Sequence, residues 1–260
     1  MIEVRQLRKE YPDLSKGSVV AIEDLSFRAD PGQIFGLLGL NGAGKTTVLR
    51  ILSTILAPTA GTARIGGYDV VESPENVRRQ IGFVSSNLVG YERMSGKEMV
   101  AFFGRLHAMD EATLKSRMAL IFDWLQIEDF KDVLGSKMST GMKQKVSIAR
   151  AIIHDPPVLI FDEATVGLDV LAARSLLKVI RELRDEGKCV IFSTHHMREA
   201  EYLCDHIAIL NKGKIITEGS LESLRMEAGQ EDLEELFFQT VSSLDGKSDG
   251  NNQVTVEEAG

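Results

Sequence analysis

The stretch Gly39-Leu40-Asn41-Gly42-Ala43-Gly44-Lys45-Thr46-Thr47 matches the pattern G-x-x-x-x-G-K-S/T. The apolar run from Ile34 to Leu38 predicts a buried strand before it, and residues 44–56 have the apolar spacing of a helix. Glycines let such a loop wrap closely enough for consecutive N–H groups to point at phosphate oxygens, and the helix N-terminus adds about half a positive charge. The stretch therefore predicts a phosphate-binding loop rather than an ordinary glycine-rich turn.

The polar residues of this phosphate loop (39–47) have separate expected roles. Lys45 is expected to reach the β- and γ-phosphates of a nucleotide, and the Thr46 hydroxyl to ligate Mg²⁺. We expect Thr47 to contact a phosphate beside them. The expected nucleotide contacts in the loop are Gly39, Asn41, Gly42, Gly44, Lys45, Thr46 and Thr47.

Composition limits the classes of partner. The chain has 260 residues, of which 43% are hydrophobic, enough for a substantial core. Its net charge of −8 argues against nucleic acid as a partner, because phosphate backbones bind basic surfaces. It contains no run of about 18 apolar residues, and the segment from Met1 to Arg5 lacks an apolar signal core, so we expect neither a membrane span nor secretion. Cys189 and Cys204 lack metal-ligand spacing and suit a reducing cytosol.

The hydrophobic pattern predicts an α/β fold. Residues 2–9 and 18–28 are typical of two antiparallel strands. Three continuous apolar runs are typical of parallel strands covered on both faces: residues 158–161, 189–192 and 207–210. The predicted fold is a P-loop NTPase core, a mostly parallel sheet with helices on both faces, joined to an N-terminal antiparallel β-subdomain and an inserted helical subdomain.

The inserted helical part is predicted at about residues 87–155. Ser95 and Glu98 have the spacing of a helix-capping box, and an apolar stripe follows at helical spacing: Met99, Phe102, Phe103, Leu106 and Met109. This stripe favours the core of a subdomain, with a partner-docking groove as the alternative. We expect one domain over residues 1–240 and a disordered tail over residues 241–260, which are rich in Ser, Gly, Asp and Asn.

Two acidic residues follow a predicted buried strand. The strand at 158–161 leads into Asp162 and Glu163, and the ends of parallel strands face the ligand crevice. Asp162 can hold Mg²⁺ there, directly or through water, and Glu163 can take a proton from the water that attacks a γ-phosphate. The alternative is a pair of solvated acids that cap the next helix, which the phosphate loop upstream disfavours.

The roles of His195 and Tyr11 are less specific. His195 follows the apolar strand at 189–192, where it can donate a hydrogen bond to a γ-phosphate, although an isolated strand-end histidine is more often structural. Tyr11 lies ahead of the phosphate loop, where an aromatic ring can stack on adenine or cover the core. The residues alone leave these alternatives open.

Taken together, these residues resemble the nucleotide-binding subunits of ABC transporters. The deciding element is Ser139-Thr140-Gly141-Met142-Lys143-Gln144 (the signature segment, 139–144), which is similar to the family's L-S-G-G-Q sequence in the variant typical of exporters. The resemblance covers residues 2 to about 240 and implies ATP and Mg²⁺ as cofactors. In the family this helix N-terminus binds the γ-phosphate of ATP held by the other subunit, so Ser139 and Gly141 are expected ATP contacts.

The same resemblance implies roles for other positions. Tyr11 resembles the adenine-stacking aromatic, His195 the switch histidine, and Gly167-Leu168-Asp169 the loop that links two sites across a dimer. It implies an ATPase that dimerises around two ATP molecules, with a second copy of itself or a related ATPase subunit. It also implies export driven through a separate integral-membrane permease, which holds the cytoplasmic chain at the inner face of the cell membrane.

The transported substrate is less specified. Lys137 to Lys145 and Asp162 to Asp169 are similar to the ATPase subunit of bacterial sodium-efflux ABC pumps, which implies Na⁺ efflux. Export of drugs, lipids or polysaccharide is the alternative, and an importer subunit is a further one. A soluble ABC-type ATPase that acts on DNA or ribosomes is the alternative from another class. The coiled-coil insertion, second cassette and basic surface usual in that class do not occur in this sequence.

Two positions depart from the family pattern. The family usually has V-P-Q where this chain has Val84-Ser85-Ser86-Asn87, and that Gln contacts Mg²⁺. Ser86 is the expected metal contact here, through a bridging water or a closer loop. Thr140 replaces the first Gly of the family's G-G pair, and because a β-branched residue disfavours a positive φ, we expect a slightly different local turn.

Overall fold

The computed structural model describes residues 1–13, 15, 17–85, 92–229 and 232–248. The strands are β1 (Ile2–Asp13), β2 (Gly17–Ala29), β3 (Ile34–Leu38), β4 (Ala60–Ile65), β5 (Tyr68–Asp69), β6 (Ile81–Ser85), β7 (Val158–Asp162), β8 (Cys189–Thr194), β9 (His206–Asn211) and β10 (Lys214–Ser220). The α-helices are α1 (Lys45–Leu52), α2 (Pro74–Gln80), α3 (Gly96–Leu106), α4 (Glu111–Trp124), α5 (Thr140–Ile152), α6 (Val170–Asp185), α7 (Met197–Leu203), α8 (Leu221–Ala228) and α9 (Leu233–Ser248). Within these described ranges, no helix has the length and hydropathy needed to cross a membrane.

Two sheets form the framework. An antiparallel sheet has the strand order β2-β1-β4-β5, and a larger sheet has the order β10-β9-β3-β8-β7-β6. In the larger sheet β6, β7, β8, β3 and β9 are parallel, and β10 pairs antiparallel with β9. The helices α3, α4 and α5 lie between β6 and β7 in the chain. This arrangement confirms the predicted fold class, while the boundaries 1–240 and 87–155 stay predictions.

The larger sheet is buried on both faces. Along β8, Val190 and Phe192 join one apolar cluster with residues of α5, α6 and α7. Cys189 and Ile191 join a second cluster, with residues of α1 and the antiparallel sheet. Alternate residues of a strand point to opposite faces, so a strand covered on both sides needs a continuous apolar run. Because β3, β7 and β8 are parallel neighbours, their carboxyl ends meet at one edge, which positions the site.

The apolar stripe on α3 divides between core and surface. The predicted capping box is present, because Ser95 Oγ accepts from the Glu98 N–H and the Glu98 carboxylate accepts from the Ser95 N–H. Met99 is buried, whereas Phe102 and Leu106 are 45% and 66% exposed. The stripe is therefore core at one end of the helix and partly exposed along the rest.

The end of one predicted helix is wrong. The helix expected over 44–56 ends at Leu52, because Thr54 has a φ of 61° and the Ile55 N–H turns back to the Arg50 carbonyl. Helix α9 continues past Val241, the predicted start of the tail, to Ser248, and Val241 packs against the main apolar cluster. Residues 249–260 lie outside the described residues.

Candidate active site

The phosphate loop surrounds the side chain of Lys45. Lys45 Nζ donates to the carbonyl oxygens of Gly39, at 2.7 Å, and Leu40, at 3.2 Å. It also lies 3.3 Å from Glu163 Oε1. The side chain is 4% exposed, so its charge is held at a fixed point in the loop. A fixed cation beside a helix N-terminus is an arrangement that binds phosphate.

Two glycines of the loop have no room for a side chain. A Cβ atom at Gly39 would lie 2.4 Å from the Leu210 carbonyl oxygen. At Gly44, where φ is 112°, a Cβ atom would lie 2.8 Å from the Ala21 carbonyl oxygen. The loop backbone is therefore packed against β9 and β2, which fixes the direction of its N–H groups.

Thr46 and Asp162 meet beside the loop. Asp162 Oδ1 accepts from Thr46 Oγ1 at 3.4 Å and from Ser193 Oγ at 2.8 Å. Burial raises the pKa of the Asp162 carboxyl, because the charged form loses solvation. Carboxylate and hydroxyl oxygens are hard ligands, and a divalent cation next to Asp162 would favour its charged form. These residues therefore fit Mg²⁺.

Glu163 lies between two site residues. Its Oε1 atom is 3.3 Å from Lys45 Nζ and 3.4 Å from His195 Nδ1. Its φ of 48° is uncommon for a residue with a side chain. The Glu163 N–H donates to Ser193 Oγ at 3.1 Å, which helps to hold this backbone conformation. The carboxylate thus faces the phosphate loop and His195 together.

Ser193 is a site residue that the sequence interpretation missed. It is fully buried in β8, in register with Asp162 on the neighbouring strand. Its hydroxyl donates to Asp162 and accepts from the Glu163 N–H, so it joins both acids to β8. A hydroxyl near the end of an apolar strand was a visible signal, but only the strand order of the sheet reveals its partners.

The signature segment begins α5. Ser139 Oγ accepts from the Met142 N–H at 3.2 Å, and Gly141 faces Ala172 of α6. In the described part of the chain, no hydrogen bond or ion pair joins Ser139 or Gly141 to the phosphate loop of the same chain. Thr140 is the first residue of α5 and has no positive φ, so its β-branched side chain fits the helix without a special turn.

Several predicted contacts stay predictions. Tyr11 is half-buried in β1, opposite Val19, and the ring contact it makes is with Lys9 Nζ, 5.3 Å from the ring centroid. Asn41 and Gly42 are exposed and Thr47 is half-buried, and their nucleotide contacts are not tested by these positions. Ser86, the expected metal contact, lies outside the described residues.

Comparisons of this chain with a family model and with known proteins indicate the same family. Residues 22–166 match the family model for ABC transporters. The chain is 37% identical to the ABC transporter ATP-binding protein NatA of Bacillus subtilis, over 92% of this chain and 97% of that protein. It is 34% identical to the doxorubicin resistance ATP-binding protein DrrA of Mycobacterium tuberculosis, over 88% of this chain and 68% of that protein.

A solved structure agrees with these sequence relatives. The ATP-binding subunit of an ABC transporter superposes on this chain with a TM-score of 0.82 at 31% identity, covering 93% of this chain and 99% of that one. The family-model match over residues 22–166 includes the phosphate loop and the acids Asp162 and Glu163. The chain therefore belongs to the ABC transporter family, as an ATP-binding subunit that hydrolyses ATP.

Proposed function

We propose that this chain is the ATP-hydrolysing subunit of an exporter, which dimerises around two ATP molecules and drives transport through a separate membrane permease. The observation that carries the proposal is the meeting of Lys45, Asp162, Glu163 and His195 at the carboxyl ends of three parallel strands. A buried cation and two half-buried acids, one of them beside a histidine, are the groups that hydrolysis of a γ-phosphate needs.

Each of these residues has a distinct task in hydrolysis. Lys45 binds the β- and γ-phosphates, and Glu163 accepts the proton of the attacking water. His195, 3.4 Å from Glu163, donates to the γ-phosphate and responds to its loss. Thr46 and Asp162 would hold Mg²⁺, which neutralises charge that develops on the phosphates.

Two observations support a site shared between two copies. The signature segment is not joined to the phosphate loop of its own chain by any hydrogen bond of the described residues. Beside the site, Val170 and Leu171 at the start of α6 are 83% and 77% exposed, and Val166 is 41% exposed. Apolar exposure of this extent favours burial against a partner. Each ATP would lie between the phosphate loop of one copy and Ser139 of the other.

Export and the exported substrate rest on resemblance. The segments Lys137–Lys145 and Asp162–Asp169 resemble sodium-efflux ATPases, which supports Na⁺ as the exported ion. DrrA is named for doxorubicin resistance, which supports an organic drug as the second candidate. In either case the permease would hold the chain at the cytoplasmic face of the membrane.

Transport into sealed inverted vesicles tests this proposal. Vesicles that contain the chain and its membrane subunit should accumulate sodium when ATP is added outside, and vesicles with Glu163→Gln should not. ATP-dependent accumulation of doxorubicin without sodium would replace the ion by an organic substrate. An active ATPase that does not purify with any membrane subunit would overturn the transport proposal.

A further inference from the structure

One carboxylate oxygen joins the two loops that carry the proposed hydrolytic residues. Glu199, in the first turn of α7, accepts through its Oε2 atom from Thr165 Oγ1 at 3.0 Å and from Thr194 Oγ1 at 2.8 Å. Thr165 lies in the loop after β7, and Thr194 is the last residue of β8. The threonines are 6% and 1% exposed, so water cannot easily replace their shared acceptor.

The same hydrogen bonds continue into the backbone beside His195. Thr194 Oγ1 accepts from the His196 N–H at 3.0 Å while it donates to Glu199. Thr194 and His196, the residues on either side of His195, are therefore both held by hydrogen bonds of the Thr194 hydroxyl. On the other loop, Thr165 lies two residues after Glu163, within a tight turn in which the Val166 N–H donates to the Glu163 carbonyl.

We propose that Glu199 is a positioning residue for ATP hydrolysis, which holds the loop after β7 and the end of β8 as one unit. This keeps His195 Nδ1 and Glu163 Oε1 at their separation of 3.4 Å. The inference rests on the proposed roles of Glu163 and His195. Glu199 contacts neither the phosphate loop nor the two acids in the described hydrogen bonds, so it acts through the threonines.

A general helix-capping role does not account for these contacts. An acidic residue in the first turn of a helix is favoured by the helix dipole wherever the helix lies. The hydrogen bonds of Glu199 go instead to two side chains on two other segments, and both go to one oxygen atom. A carboxylate oxygen has the lone pairs to accept two hydroxyls at once, and the amide oxygen of glutamine has them too.

Substitutions at Glu199 should distinguish the effect of its hydrogen bonds to the threonines from the effect of its negative charge. Glu199→Ala should lower kcat for ATP by about tenfold to a hundredfold, because misplaced reacting groups lose rate steeply. The KM for ATP should stay near the wild-type value, since the phosphate loop is untouched. Glu199→Gln should keep most of the wild-type kcat, because its amide oxygen can accept both hydroxyls.

The threonines provide the test of mechanism. Thr165→Val with Thr194→Val keeps the side-chain shape and removes both donors to Glu199, and it also removes the acceptor of the His196 N–H. This double variant should therefore lose at least as much kcat as Glu199→Ala. Adding Glu199→Ala to the double variant should cost nothing more, which is the non-additivity of groups that act together. The shape-preserving variants keep the test decisive if Glu199→Ala does not fold.

A matched control lies on the same helix. Glu201 of α7 accepts from Arg225 and from the Leu233 N–H, so Glu201→Gln should lower the thermal midpoint and leave kcat unchanged. Wild-type kcat in folded Glu199→Ala, or in the double threonine variant, would overturn the positioning role, as would equal losses in Glu199→Gln and Glu199→Ala. A different result, a wild-type ATPase rate in Glu163→Gln, would overturn the proposed function itself.

Discussion

At the scale of single residues, Glu163 is the proposed base for ATP hydrolysis. Its carboxylate lies 3.3 Å from Lys45 Nζ and 3.4 Å from His195, so replacement by an amide keeps the shape and removes the proton acceptor. Glu163→Gln should bind ATP normally and lose about 10²- to 10⁴-fold in kcat, the usual contribution of a general base. Rapid-quench ATPase assays with parallel ATP titrations measure both. Turnover near the wild-type rate would remove Glu163 from this role.

Lys45 should act on binding rather than on turnover alone. Its buried ammonium is the cation fixed inside the phosphate loop, and charge-assisted contacts contribute about 1.5–3 kcal/mol each. Lys45→Ala should therefore weaken ATP affinity by at least about tenfold in calorimetry. Lys178→Ala removes an exposed lysine on α6 and serves as the control, with unchanged affinity. Equal affinities for wild type and Lys45→Ala would contradict the assignment.

The residue scale is also where sequence interpretation reached its limit. Lys45, Asp162 and Glu163 could be identified because a loop motif and a strand end define them. Ser193 and Glu199 could not, since their partners lie on a neighbouring strand or in another loop. Which strands are neighbours follows from the order β3-β8-β7, which is not the order along the chain.

At the scale of elements, a histidine pair joins the helical part to the large sheet. His154 follows α5 and stacks on His107, the C-cap of α3, with ring centroids 3.5 Å apart. His154 Nε2 lies 3.1 Å from the Ile81 carbonyl oxygen at the start of β6. Burial, together with the neighbouring His107 ring, lowers the pKa of His154 to about 4. The pair therefore packs in its neutral form at neutral pH.

This pair should make stability depend on pH. The pKa of an unfolded histidine is about 6.5, so between about pH 6.5 and 4 the unfolded chain binds a proton that folded His154 does not. The free energy of unfolding therefore decreases as the pH is lowered through this range. Allowing for partial exposure, the loss from pH 7 to pH 5 should be roughly 1 kcal/mol. Urea unfolding should show this loss in wild type and a smaller one in His154→Gln, which keeps a donor for Ile81.

The comparison of His154→Gln with the wild type tests this source of the pH dependence. If His154→Gln and wild type lost the same stability between pH 7 and pH 5, the pH dependence would have to come from other groups.

Strands with a continuous apolar run and helices with a capping box could be predicted, and helices of about two turns could not. β3, β7, β8 and β9 follow from continuous apolar runs, and α3 follows from its capping box. The short helices α2 and α7 carry too few turns for a periodic signal, and their existence depends on packing. The end of α1 was placed too late because Thr54 adopts a left-handed conformation that its residue type does not suggest.

At the scale of the whole molecule, each proposed ATP site requires two chains. Lys45→Ala should inactivate the phosphate loop, and Ser139→Arg should inactivate the signature segment. A heterodimer of the two variants has one complete site, because the intact loop of one chain faces the intact signature segment of the other. Mixing the variants should restore part of the ATPase activity that neither has alone. A mixture of Lys45→Ala with the doubly substituted chain has no complete site and should stay inactive.

Whether ATP joins two copies is measured most directly by the mass in solution of the Glu163→Gln chain, by light scattering, with and without saturating ATP. We expect a dimer with ATP and a monomer without it, because bound nucleotide joins the two copies and slow turnover preserves the joined state. Adding Ser139→Arg should return the mass to that of a monomer while each chain still binds ATP. A Glu163→Gln chain that stays monomeric at saturating ATP would contradict an ATP site shared between two copies.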